Sequence, residues 1–95
     1  MQKVRVIYTG RVQGVGFRMT VREIAKKHKV HGSVCNVANG SVELLAVGSG
    51  SSLMKFLEAI DQSMSRFIEG CTVDWLDGAE GEFEDFSIAP DKWGE

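Results

Sequence analysis

Ser33-Val34-Cys35-Asn36-Val37-Ala38-Asn39-Gly40-Ser41-Val42-Glu43-Leu44-Leu45-Ala46-Val47 decides the architecture. Two runs of mainly apolar and β-branched residues flank Asn39-Gly40, and both of those residues tolerate the positive φ of a type I′ turn. The stretch reads as a hairpin with strands at 33–38 and 41–47. Upstream, Gly32 marks a restart of the chain after a helix. That helix runs from Phe17 to about Val30, with Phe17, Val21, Ile24, Ala25 and His28 recurring at helical spacing and Arg22, Glu23, Lys26 and Lys27 on the other side. Its basic end, Lys26-Lys27-His28-Lys29, suits the negative pole of the helix dipole. Further upstream, Val4, Val6 and Tyr8 alternate with Lys3, Arg5 and Thr9, the pattern of a half-buried strand.

Downstream of the hairpin, Gly48 to Ser52 form a short loop in which a serine is placed to cap a second helix. Leu53, Phe56, Leu57, Ile60 and Met64 give that helix one apolar face. Cys71, Val73 and Trp75 alternate in a fourth strand, and Phe86 and Ile88 mark a short final one. The acidic run from Glu80 to Asp85 reads as a solvated loop. The order β-α-β-β-α-β with a short terminal strand is an α+β, ferredoxin-like α/β sandwich: an antiparallel sheet with two helices on one face. We expect a single free-standing domain over 1–95, with its core at about 3–88 and a tail at 89–95 in which Trp93 is loosely packed. The same fold carries many unrelated activities, so function must be read from the loops.

Composition narrows the classes. A chain of 95 residues supports one core, and 43% hydrophobic with 25% charged residues is the balance of a soluble globule. A net charge of −2 and a pI near 5.7 supply no basic field for nucleic acid or an anionic membrane. No apolar run reaches transmembrane length, and the start of the chain lacks a signal-peptide core. Cys35 and Cys71 are too few for a disulfide framework and read as idle thiols. The expectation is a cytoplasmic monomer with no nucleic-acid or membrane partner. His28 and His31 belong to no metal-ligand pattern, so no metal and no cofactor are expected.

One loop carries chemistry. Gly10-Arg11-Val12-Gln13-Gly14-Val15-Gly16-Phe17-Arg18 lies between the first strand and the first helix. A strand-to-helix loop aims main-chain N–H groups at one place, and the helix N-terminus adds partial positive charge. Gly14 and Gly16 let the backbone curl close to a bound group, and Arg18 adds a guanidinium suited to two phosphate oxygens. The loop is no Walker A, since no lysine follows the glycines, and no dinucleotide fingerprint, since Met19 stands where a third glycine belongs. It reads as a cradle for one tetrahedral anion or as a plain glycine turn, and the residues alone divide evenly between the two. Asn36, by period two, shares a face with Val34, near the core. On its own it reads as a hydrogen-bonded structural amide.

Together these segments resemble the acylphosphatase family. Its pattern Gly-x-Val-Gln-Gly-Val-x-Phe-Arg is met throughout Gly10–Arg18, and its second pattern is met at Gly32, Val34, Asn36, Gly40, Val42 and Glu43, with Asn39 in place of an aspartate. The resemblance covers about residues 3–88. It implies metal-free hydrolysis of a small-molecule acyl phosphate to a carboxylate and inorganic phosphate. It places the catalytic arginine at Arg18, the water-positioning asparagine at Asn36, and the phosphate loop at Gln13, Gly14, Val15, Gly16, Phe17 and Arg18. The competing reading is a non-catalytic phosphate-binding regulatory module. A ferredoxin-like RNA binder would need strand aromatics and a basic face, which this chain lacks.

Overall fold

Val4, Val6 and Tyr8 are fully or almost fully buried, while their neighbours along the strand are not. This alternation defines the face on which the molecule is built. The computed structural model describes residues 1–78 and 80–93. Its elements are β1 (Gln2–Gly10), α1 (Phe17–Lys26), β2 (His31–Asn36), β3 (Val42–Gly48), α2 (Gly50–Met64), a single 3₁₀ turn (Ser65–Phe67), β4 (Ile68–Asp77) and β5 (Phe86–Ile88).

The five strands form one sheet in the order β4-β1-β3-β2-β5. β3 pairs antiparallel with both β1 and β2, and β4 pairs antiparallel with β1. β1 and β2 therefore run parallel on either side of β3, which requires α1 to cross over between them. The one departure from the expected antiparallel sheet is β5, which pairs parallel with β2. The chain from β4 must cross the sheet to reach that edge, and it arrives running the same way as β2.

Phe17, Val21 and Ala25 of α1 and Leu53, Phe56, Ile60 and Met64 of α2 close over Val4, Val6, Tyr8, Val34, Val42, Leu44 and Ala46 as one apolar cluster. Tilted ring contacts join Tyr8 to Phe17 at 5.1 Å and Phe56 to Phe86 at 5.7 Å. Burying a side chain of this size stabilises the fold by about 1.5–3 kcal/mol. Ser49 caps α2 by accepting the Ser52 N–H at 3.0 Å. α1 ends sooner than its periodicity suggests, at Lys26, and the chain turns through Lys29 at φ 55.

One local expectation is corrected. The turn at Asn39-Gly40 is not type I′, because only Gly40 has positive φ. Gly40 N donates to Val37 O and Val37 N to Ser41 O, both at 2.9 Å, the pattern of a type I turn closed by a glycine bulge. The Asn39 carboxamide settles the choice by accepting from both Ser41 N and Ser41 Oγ, which holds it in an ordinary turn conformation. β4 lies at a sheet edge, where the two helices do not reach. Val73 and Trp75, opposite Val6 and Val4, are 39% and 45% exposed, and Cys71, opposite Tyr8, is exposed too.

The acidic loop after β4 lies against the sheet. Glu82 pairs with Lys3, whose ammonium stands 6.0 Å from the Phe83 ring centre, and Gly32 N donates to Asp85 O. Residues 89–93, read as a tail, continue alongside β2: Ala89 N donates to Val34 O and Lys92 N to Asn36 O, while Ala38 N donates to Lys92 O at 2.8 Å. Trp93 remains 57% exposed, and the end of the expected tail, residues 94–95, lies outside the described residues. No helix is long and apolar enough to cross a membrane among the described residues.

Candidate active site

The loop between β1 and α1 is pinned at both ends by burial. Val12 and Phe17 are almost wholly buried, and Val15 packs against the core from between them. Between these anchors the backbone turns through Gly14 and Gly16 at φ 77 and 79, a region that costs any other residue about 1–2 kcal/mol. A Cβ at either glycine would meet no atom within 4 Å, so the space beside the backbone there is open.

Gly16 is also the N-cap of α1. It has no side chain to satisfy the first-turn N–H groups, and no acidic residue occupies that turn. The contrast with the serine-capped α2 is direct: among the described residues, no side-chain cap and no first-turn acid meets the donors and the positive end of α1. Arg18 stands in this first turn with its side chain 35% exposed.

The Gln13 side chain braces the loop. Its side-chain Nε2 donates to Val37 O at 2.8 Å and to Ser41 O at 2.9 Å. The amide is thus spent on tying the loop to the tip of the β2–β3 hairpin, and the main chain of Gln13 is what remains for an anion. The tie matters because Asn36 precedes Val37, so the loop and the end of β2 are held in one register.

Asn36 sits on the helix side of the sheet with Val34, in line with the period-two reading, and is 7% exposed. Its Oδ1 is buried and finds no hydrogen-bond partner among the described residues. A buried amide oxygen without a donor is costly in a finished structure, and it marks a place where a donor from outside the chain is wanted. Cys35, next to it, projects to the opposite face, where it lies across from Glu43. Burial first, and then the Glu43 charge, push its thiol pKa up, so it is a poor nucleophile.

The residues that sequence reading missed come from the segment after β5. One carboxylate oxygen of Asp91 accepts from Arg18 Nη1 at 3.0 Å and from the main-chain N–H of Asn36 at 3.1 Å. Lys92 reaches the other face of the sheet and bonds Glu43 Oε1 at 2.5 Å, while Arg5 Nε holds Glu43 Oε2 at 2.8 Å. Burial alone would raise the Glu43 pKa, but these two cations outweigh it and hold the carboxyl below its ordinary value. A cleft beside Lys26, Lys29, His31 and Asp85 opens at the far end of α1 and includes none of these groups.

The arrangement offers an anion an uncapped helix end, a guanidinium and, on the neighbouring strand, an amide oxygen lacking a donor. Comparison with known proteins agrees. The acylphosphatase family model matches residues 4–88. An acylphosphatase of Bacillus velezensis is 41% identical over 90 residues, covering 94% of this chain and 99% of its own length. The crystal structure of the Bacillus subtilis acylphosphatase superposes with a TM-score of 0.84 at 37% identity, covering 95% of this chain and all of the other. Full-length HypF, in its phosphate- and nucleotide-bound form, matches with a TM-score of 0.74 at 29% identity, over 97% of this chain and 12% of its own. With a family model spanning nearly its whole length, a site loop that fits, and relatives matched from end to end, the chain belongs to the acylphosphatase family and is a hydrolase of acyl phosphates.

Proposed function

We propose that hydrolysis proceeds by direct attack of water on phosphorus, with Arg18 and the main-chain N–H groups of the 13–18 loop holding the phosphoryl oxygens and Asn36 placing the water. An acyl phosphate is an activated anhydride whose leaving group, a carboxylate, departs without a general acid. What remains is to offset charge on the phosphoryl oxygens and to align the nucleophile. Arg18 and the open end of α1 suit the first task, and the Asn36 carboxamide oxygen, accepting a hydrogen bond from water, suits the second. In this scheme no metal takes part and no covalent intermediate forms.

The observation that carries this reading is the unpartnered Oδ1 of Asn36, one residue from the carbonyl that the loop's Gln13 grips. We further assign the chain as a cytoplasmic monomer, on its acidic charge balance and the lack of a signal-peptide core at its start. The test is hydrolysis of benzoyl phosphate with and without a chelator. Arg18→Ala is expected to lose phosphate binding and turnover together. Asn36→Ala is expected to keep phosphate binding and to lose turnover by about 10²-fold or more. Full turnover in Asn36→Ala overturns the water-positioning role, and loss on chelation overturns the metal-free scheme.

A further inference from the structure

Asp91 has no part in the chemistry proposed above, yet its carboxylate touches both elements that carry it. Its Oδ1 is shared between the Arg18 guanidinium and the main-chain N–H of Asn36. The side chain is itself fixed. Ala89 and Lys92 bond to β2 on either side of it, Val37 and Lys92 form a parallel bridge, and Lys92 is held by Glu43. Residues 89–92 are thus a strap laid along the end of β2, with Asp91 directed at Arg18.

An arginine side chain is long, and its free rotamers must be lost when it grips a phosphoryl group. A carboxylate that already holds one guanidinium nitrogen removes much of that loss before substrate arrives. Of the five N–H donors, the bond to Asp91 engages one at Nη1. The same oxygen fastens the last residue of β2, so Arg18 and Asn36 are set relative to each other through a single atom. We infer that Asp91 is a positioning residue, which presents Arg18 to the phosphoryl group and fixes it against Asn36. This rests on the role proposed for Arg18.

The opposite possibility is that Asp91 occupies the anion's place and must be displaced. Its lock onto Asn36 N and the strap argues for a fixed bracket, and the two ideas differ in sign. Asp91→Ala and Asp91→Asn would be compared with wild type by phosphate titration calorimetry, by kcat and KM on benzoyl phosphate, and by thermal melts. Asp91→Ala is expected to raise KM and the phosphate dissociation constant together by tenfold or more, as a small misplacement of a binding group does, to roughly 10²-fold at most. Asp91→Asn keeps an acceptor oxygen for both donors and is expected to recover most of that loss.

Tighter phosphate binding by Asp91→Ala would make Asp91 an internal competitor and overturn the inference. Unchanged KM and phosphate affinity with a lowered melting temperature would leave it a structural fastening only, and overturn it equally. Phosphate titration needs no turnover. A wild-type chain inactive on benzoyl phosphate would count against the proposed reaction, while Asp91 would still be judged by the phosphate constants.

Discussion

The 12–18 loop and the 89–92 strap meet at Arg18, and they are held by opposite means. The loop is anchored by apolar burial at Val12 and Phe17, with Gly14 and Gly16 supplying the bends between. The strap lies on the surface and is held by main-chain bonds to β2 and by two ion pairs, Arg18–Asp91 and Lys92–Glu43. Burial is indifferent to salt, whereas exposed charge is screened by it and is lost at the extremes of pH. Arg18, the group proposed to receive the phosphoryl oxygens, is therefore built on the insensitive support, and only its fine setting is left to the sensitive one.

This contrast breaks most visibly at Phe17. Phe17→Ala is expected to cost about 3–5 kcal/mol of stability, read by urea unfolding, because it empties a site between Tyr8 and the helices. A cost under about 1 kcal/mol would mean the loop does not rest on the core. Gly16→Ala should cost about 1–2 kcal/mol, read in the same way. Its Cβ would meet nothing within 4 Å, so the loss is conformational, and a neutral result would show the loop relaxing out of its left-handed bend.

The smallest effect belongs to the strap. Glu43 is held below its ordinary value of 4.5, so its contribution is present above that value and fades as pH falls through the lower, folded one. Lys92, raised above 10.5 chiefly by its hydrogen bond to Glu43, keeps its share below 10.5 and loses it as pH rises through the higher, folded value. The fastening is thus constant across neutral pH. Because the Lys92 end is 61% exposed, the pair is worth only about 0.2–1 kcal/mol. Thermal melts at pH 6 and pH 3 should show a larger drop in wild type than in Glu43→Gln, and equal drops would remove Glu43 from the strap's support.

The same division explains what could be read from the residues alone. The loop was legible because its instructions are local: two glycines between apolar anchors, with an arginine in the next helical turn. The side of the sheet that Asn36 faces followed from period two, and a serine cap was expected within 48–52, where Ser49 supplies it. The strap was not legible, since Asp91 and Lys92 act on partners 73 and 49 residues away and nothing in Ala89-Pro90-Asp91-Lys92 announces them. The hairpin turn misled because a side-chain bond from Asn39 to Ser41 outweighed the preference of its dipeptide. Gln13 matched a phosphate motif while its amide serves as a brace, a distinction visible only once the hairpin tip stands beside it. β4 alternates like a half-buried strand, but its place at the edge leaves that face uncovered.

Phe17 and Arg18 are neighbours, one sealed in the core and one reaching outward to Asp91. No backbone hinge separates them, so the main-chain root of the Arg18 side chain stays in place for as long as the ring keeps its seat. On heating, catalytic output should therefore decline in step with the cooperative transition of the whole molecule instead of ahead of it. A simple rate measurement on this enzyme doubles as a count of its folded copies.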